Sequence, residues 1–249
     1  MRSFKITLLI TGFLFFFFAV SCKKSTPKLI DFKYGYFPID TGHYVIYDAD
    51  SITYNNFYNP TRIDTVSFQI KEVITTVFLD NTGTPTYRIQ GYRRSTPNNP
   101  WVVYYTWYSN RYTSTAQKTE EPLKYIKLLF PPALGVTWFG NSYIDCVDTN
   151  AFLAGWNYYY ENIDVPLTLT STSGTLSSDS TLTVLQDSTN SLQAYTYSVE
   201  KYAKNVGLVY KQLTVLADDS STLRPSSIPW PQRANNGFIY TLSAVSYNK

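Results

Sequence analysis

The chain has 249 residues, of which 44% are hydrophobic and 16% are charged, and its formal net charge is +3 at pH 7. Without residues 1–21, which include Arg2 and Lys5, lysine plus arginine falls from 21 to 19 against 18 acidic residues, so the net charge is +1. This balance leaves no basic footprint and excludes nucleic acid as an expected partner. The length allows a sizeable core, and an all-β chain of this size is commonly one domain.

The first residues have the order of regions found in a secretory signal. Arg2 and Lys5 supply a positive start, and an apolar run follows over residues 6–20. A membrane-spanning helix needs ~20 apolar residues, and this run ends before that length. The sequence therefore predicts export and cleavage, with a signal peptide at 1–21, a tether at 22–33 and a single all-β domain at 34–249.

The sequence AVSC at residues 19–22 resembles the lipobox of bacterial lipoproteins, in which the signal is cut before an acylated cysteine. The resemblance implies lipid attachment at Cys22, and an ordinary signal peptide with a chance cysteine is the alternative. Each buried methylene of an acyl chain contributes ~0.8 kcal/mol, and stable anchoring needs more than one chain. We therefore expect the membrane as a partner, through a lipid anchor.

The residues that follow Cys22 bear on which face of the membrane carries the protein. In Bacteroidetes-type lipoproteins, which this chain resembles, export to the cell surface is associated with acidic residues soon after the cysteine. Here Lys23, Lys24 and Lys28 follow it instead. The resemblance thus implies the outer membrane, and we expect the protein on its periplasmic face.

Catalytic and metal-binding signatures are missing from the sequence. His43 is the only histidine, which excludes two-histidine zinc motifs, and no G-x-S-x-G elbow or D-x-[DN]-x-[DN]-G calcium loop occurs. If Cys22 carries lipid, Cys146 has no partner for a disulfide within the chain. We therefore predict a noncatalytic protein without a cofactor or metal site. A carboxylate-based hydrolase stays open, since a fold can bring two distant carboxylates together.

The mature sequence is rich in tyrosine, threonine and valine, and apolar and polar residues alternate with a period of two, which predicts strands. Residues 64–93 predict a hairpin around the turn LDNTGTPT. Residues 101–117 predict two strands joined near Ser109-Asn110, and 123–145 two more that the Pro131-Pro132 pair separates. Later strands are predicted at 156–170, 180–187, 193–202, 206–217 and 237–247, with surface loops at 171–180 and 219–237.

Ten or more strands with almost no amphipathic helix predict one fold class, an all-β antiparallel curved sheet that is barrel-like or a sandwich. Two aromatic rows each share a strand face and are candidates for stacking against a glycan or an apolar ligand. Core and cross-strand packing is the more common use of such rows, and the sequence leaves both open. The ligand-binding candidates are Trp156, Tyr158, Tyr160, Trp101, Tyr105 and Trp107.

Four short segments look like the Asp-Ser/Thr-apolar acceptor that exported Bacteroidetes-type proteins use for O-glycosylation. The pattern is only three residues long, and a chain rich in serine and threonine produces some copies by chance. The acceptors that this resemblance implies are Ser51, Thr65, Ser180 and Ser188.

Three longer segments look like recurring parts of Bacteroidetes-type outer-membrane lipoproteins: YFPIDTGHYVIYDADSITYN, KYIKLLFPPALGVTWFGNSY and YAKNVGLVYKQL. Together they cover most of residues 34–217, and the resemblance brings no catalytic residue. We therefore expect a lipid-anchored envelope protein that binds a glycan or an apolar ligand. The alternatives are a structural envelope-assembly partner and a carboxylate-based hydrolase. An exposed aromatic groove favours the first, a flat apolar patch the second, and carboxylates converging in a cleft the third.

Overall fold

The computed structural model describes residues 29–220 and 224–248. The chain forms two units, Met1–Asp31 and Phe32–Lys249. Of the first unit only 29–31 are described, as exposed irregular chain, so the predicted signal peptide and Cys22 lie outside the described residues. Within the described part of the chain, no helix is long and apolar enough to cross a membrane.

Strands hold 59% of the described residues and helices 6%. In chain order the strands are β1 Tyr44–Asn55, β2 Arg62–Leu79, β3 Pro85–Arg94, β4 Val102–Arg111, β5 Thr115–Glu120, β6 Leu123–Leu129, β7 Thr137–Trp138, β8 Tyr158–Ser171, β9 Gly174–Asp187, β10 Ala194–Ala203, β11 Gly207–Ala217 and β12 Asn236–Tyr247. Two 3₁₀ turns, Tyr34–Tyr36 and Asp148–Leu153, and the short helix α1, Trp230–Arg233, complete the described elements.

All twelve strands belong to one antiparallel sheet with the order β6-β5-β4-β3-β2-β1-β12-β11-β10-β9-β8-β7. The sheet thus consists of two six-stranded meanders that the pairing of β1 with β12 joins in the middle. It is curved and does not close into a barrel, because β6 and β7 remain its two edges. The prediction of an all-β antiparallel curved sheet is confirmed.

Local irregularities accompany the curvature. Seven of the eleven strand ladders contain a register shift, and such bulges bend a strand and increase its twist. Along β1 the burial alternates, with Val45, Tyr47 and Ala49 buried and Asp50 exposed. The alternation gives the sheet a packed face, as the period of two in the sequence predicts.

Two predicted connections are wrong. The predicted joint at Ser109-Asn110 lies inside β4, where the Asn110 amide donates to Thr86 Oγ1 at 2.7 Å and to the Pro85 carbonyl at 3.1 Å in the neighbouring strand. The predicted loop 171–180 is mostly strand, and a tight turn joins β8 to β9. Hydroxyl pairs such as Thr168–Ser177, 3.1 Å apart, support that hairpin. Polar residues here extend strands because their side chains bond across the ladder.

The strand predicted after the proline pair is reduced to the two residues of β7. Pro132 lacks a backbone donor, and Gly135 has a φ of +80°, so the chain before β7 follows an irregular path. Trp138 of β7 still fixes this segment, because its indole Nε1 donates to the Ile126 carbonyl of β6 at 2.9 Å. Contact between β6 and β7 is therefore made by a side chain.

Candidate functional site

The aromatic row of Trp156, Tyr158 and Tyr160 lies in the core. The three side chains are 4%, 1% and 2% exposed. The ring of Tyr158 lies so close to Gly140 that a Cβ at that position would overlap it, and its hydroxyl donates to Asn141 Oδ1 at 2.8 Å. These residues are packing residues and form no open ligand platform, which corrects the binding hypothesis for all three.

Tyr105 and Trp107 also face the interior. Their rings stack at a centroid distance of 3.7 Å, and the Tyr105 hydroxyl donates to Glu72 Oε1 at 2.8 Å. Burial, together with the charge of Glu72, raises the pKa of Tyr105 well above its ordinary value, so the hydroxyl stays a donor. Neither ring is an open platform, and the binding hypothesis is corrected for these two as well.

Six charged side chains meet in the interior, and we name them the ion network. Each is at most 15% exposed, and three carboxylates alternate with three ammonium groups. The closest pair is Lys127–Glu200 at 2.9 Å, and Glu120 lies 3.1 Å from Lys127 and 3.3 Å from Lys211. The members are Glu72 of β2, Lys118 and Glu120 of β5, Lys127 of β6, Glu200 of β10 and Lys211 of β11.

The network keeps its groups charged. Burial alone would raise the pKa of Glu120 and of Glu200, but Lys127 and Lys211 hold both pKa values below the ordinary 4.5. Burial alone would lower the pKa of Lys127, and the two carboxylates hold it well above its ordinary value instead. A glycoside hydrolase needs one carboxyl whose pKa is raised so that it can donate a proton. Glu120 and Glu200 have the opposite shift.

A cavity of about 70 Å³ adjoins the network, with Val45, Ile74 and Ile89 on its apolar side. A buried water needs only ~10–15 Å³, whereas ligand pockets measure ~300–1,000 Å³. The cavity therefore has room for a few waters and is too small for a sugar ring. His43 also lines it, and its Nε2 lies 2.9 Å from the Val206 carbonyl oxygen.

The end of β3 and the start of β4 enclose an open groove of about 350 Å³. Two consecutive arginines and the exposed ring of Tyr104 line it. The Arg93 guanidinium lies 4.0 Å from the ring centre of Phe68 and 5.3 Å from that of Tyr104. The Arg94 guanidinium lies 4.2 Å from the ring centre of Trp101. Of the six aromatic candidates, Trp101 alone lies beside an open site of ligand size.

No family model, curated protein or solved structure matches this chain.

Neither groove arginine has a carboxylate partner within 4.0 Å among the described residues. Arg94 donates through Nε to the Gln69 amide oxygen at 2.8 Å, and Arg93 contacts the rings of Phe68 and Tyr104. A guanidinium stacked on a ring keeps its plane fixed while its N–H groups stay available. The groove thus offers two positioned cations and an aromatic surface to a ligand.

The remaining predicted sites are separate from the groove. Thr65 and Ser188 are exposed, Ser51 is half-buried in β1, and Ser180 lies 2.7 Å from the Tyr36 hydroxyl. O-glycosylation of the four stays a prediction. Within residues 29–220 and 224–248, no cluster of His, Cys, Asp and Glu has the arrangement to hold a metal ion.

Sequence reasoning missed both the ion network and the groove arginines. The segment GYRRSTPNNPWVVYY contains a signal for the groove, because a doubled arginine and several aromatic residues flank a polar turn. The network has no local signal, since Lys127 and Glu200 are 73 residues apart.

Proposed function

We propose that this protein is a noncatalytic, lipid-anchored envelope protein that binds a glycan in the groove beside Arg93 and Arg94. The anchor is Cys22, and the location is the periplasmic face of the outer membrane. The AVSC sequence after the apolar run supports the anchor. The groove supports the binding function, because its volume of about 350 Å³ lies within the usual range for ligand sites.

The main support for glycan binding is the pair of arginines in the groove. Both stack on aromatic rings and lack a carboxylate partner among the described residues, and they lie beside the Tyr104 ring, which is 53% exposed. A sugar presents apolar C–H faces to an aromatic ring and hydroxyl oxygens to N–H donors. The groove provides both kinds of contact at one place. An apolar ligand would leave the arginine donors without partners, which costs binding free energy, so a glycan fits the groove better.

A structural partner role has its own supporting observation at the end of β2. Val77 and Leu79 are 50% and 68% exposed on one face of the strand, and Phe78, 44% exposed on the other face, makes an edge contact with Tyr108. Exposed apolar side chains that adjoin one another are typical of protein contact sites. This role is the second candidate. The hydrolase alternative gains no support from the ion network, because its carboxylates are paired with lysines.

A glycan array probed with the purified full-length protein in detergent micelles tests the binding function. We expect wild-type binding to at least one glycan class and a loss of ~10-fold or more in affinity for Tyr104→Ala, the loss typical of one removed anchor contact. Tyr58→Ala is the matched control, since Tyr58 is equally exposed and packs against Arg62 away from the groove. A blank array, or equal losses for both variants, would refute the proposal.

The anchor is tested by mass spectrometry of the membrane fraction, where we expect an acylated amino-terminal Cys22. A Cys22→Ser protein should leave that fraction, because the acyl chains supply the membrane affinity. Quantitative retention of the variant on the membrane would contradict the anchor and leave the groove proposal untouched.

A further inference from the structure

A second depression adjoins the groove. It measures about 410 Å³ and lies between the β1–β2 region and the tip of the β8–β9 hairpin. Arg94 lines both depressions, so its side chain forms a shared wall. The two depressions therefore meet at Arg94, and contact with both requires a ligand longer than one sugar ring. We name the two depressions together the trough.

The lining of the trough combines apolar surface with polar groups and positive charge. No acidic residue lines either depression, and the second one carries the hydroxyl groups of Thr172, Ser173 and Ser246. Hydroxyl groups donate and accept, so they complement the hydroxyls of a sugar. The only charges in the lining are those of Arg93 and Arg94.

A short hydrogen-bond chain orients Arg94. The Gln69 amide nitrogen donates to Asp48 Oδ1 at 2.8 Å, and this turns the Gln69 oxygen towards Arg94 Nε, also at 2.8 Å. Burial alone would raise the pKa of Asp48, but bonds from Gln69 and Ser173 hold it below its ordinary value, so it stays an acceptor. No described residue accepts a hydrogen bond from the two terminal nitrogens of Arg94. Their N–H groups are therefore available to a ligand.

We infer that the trough binds an anionic glycan, whose carboxylate, sulfate or phosphate group is held by Arg93 and Arg94. A guanidinium binds such groups through two parallel, charge-assisted N–H···O bonds. The sugar that carries the anion lies against Tyr104, and the next sugars reach the hydroxyl groups of the second depression. The inference rests on the proposed glycan-binding function and names its ligand class.

Paired probes that differ only in charge test the inference by equilibrium titration of the full-length protein in micelles. Hexagalacturonate is compared with its methyl ester, and dextran sulfate and phosphorylated dextran are compared with dextran, so the arms separate the three anions. We expect at least one anionic probe to bind ~10- to 100-fold more tightly than its neutral counterpart, as charged hydrogen bonds imply. The advantage should shrink as salt rises.

Substitutions locate the effect. Arg93→Gln and Arg94→Gln should each remove most of the anionic advantage, whereas Arg62→Gln should keep it, because Arg62 stacks on Tyr58 and pairs with Asp64 outside the trough. Circular dichroism confirms that each variant is folded. Equal affinity for charged and neutral probes, with Tyr104 still required, would overturn the inference and leave glycan binding intact. If none of these probes binds and the glycan array is also blank, both the inference and the proposed glycan-binding function are overturned.

Ligand length tests the second depression separately. Wild-type protein should bind a six-sugar form of the preferred anionic probe more tightly than its two-sugar form, and Ser246→Trp should abolish that difference by filling the depression. If the longer ligand has no advantage, or if the variant keeps it, the ligand does not extend past Arg94 and the trough is limited to the groove.

Discussion

Two tyrosines of the interior each cover a glycine. The ring of Tyr158 lies against Gly140 and that of Tyr105 against Gly91, and a Cβ at either glycine would overlap the ring. Each ring then directs its hydroxyl to a polar partner, Asn141 Oδ1 or Glu72 Oε1. Tyrosine combines a large apolar body with a polar tip, which suits a core that contains charges.

Tyr158→Ala should lower the free energy of unfolding by ~3 kcal/mol or more, because the change removes a buried ring and leaves a cavity. Urea denaturation measures the loss. Tyr159→Ala is the control, since this neighbouring ring is 38% exposed and its loss should cost far less. Equal stability of the two variants would contradict the assignment of Tyr158 to the core.

The edge strand β6 is protected by side-chain and backbone groups from the opposite end of the sheet. The Tyr160 hydroxyl accepts from the Leu129 N–H at 2.8 Å and donates to the Leu129 carbonyl at 2.7 Å. Three residues earlier, the Ile126 N–H donates to the Gly140 carbonyl at 2.8 Å, and the Ile126 carbonyl accepts from Trp138. An unpaired edge is a template for association with other chains, and these bonds occupy part of it.

Tyr160→Phe should expose the Leu129 amide, because the change removes both bonds at that residue while keeping the ring. Loss of partners for buried polar groups costs ~1–3 kcal/mol each, so we expect faster hydrogen exchange at Leu129 by NMR and a lower unfolding free energy. Tyr159→Phe should change neither, as no described residue bonds its hydroxyl. Unchanged exchange in Tyr160→Phe would show that the hydroxyl does not protect the edge.

The strands were predictable where alternation and turn residues agree. The hairpin of β2 and β3 follows from the alternating pattern and from the turn at Asp80, whose carboxylate accepts from the Thr82 and Thr84 amides. The predictions failed at Ser109-Asn110 and at 171–180, where polar side chains bond across strands. Local composition indicates a turn at such places, and only the neighbouring strand explains why the chain continues.

The ion network connects the two meanders across the interior. Lys127 belongs to the first meander and Glu200 to the second, so their pair at 2.9 Å joins strands that are not neighbours in the sheet. Removal of one partner from a buried pair costs ~3–5 kcal/mol, because the other charge is left unpaired. The network therefore helps to hold the curvature of a sheet that no ladder closes.

The pH dependence of stability should reflect this network. Glu120 and Glu200 have pKa values below the ordinary 4.5 in the folded protein, so the stability that they contribute is present above pH 4.5 and is lost as the pH falls further. The urea concentration at the unfolding midpoint should be similar at pH 7 and pH 5 and lower at pH 3. Glu200→Gln should flatten this dependence, whereas Glu161→Gln, at an exposed position, should not.

The parts of the site that could be predicted are those whose contacting residues lie close together in the sequence. Aromatic rows are visible in the sequence, but the alternation is the same for a core row such as that of Tyr158 and for an open one. The groove forms because the hairpin of β3 and β4 brings Arg94 and Trp101 together across its turn. The doubled arginine and the aromatic residues around that turn are visible in the sequence, whereas the stacking of Arg93 on Phe68 depends on a contact with β2. Strands β1 and β12 pair although they lie near opposite ends of the domain sequence. No local sequence pattern predicts this pairing.

Arginine footprinting shows whether the groove is the ligand site. Phenylglyoxal modifies accessible guanidinium groups, and mass spectrometry reports the rate at each arginine. With a saturating concentration of the tightest-binding anionic probe, we expect slower modification of Arg93 and Arg94 and an unchanged rate at Arg62. Equal rates at Arg93 and Arg94 with and without the probe would contradict a ligand site in the groove.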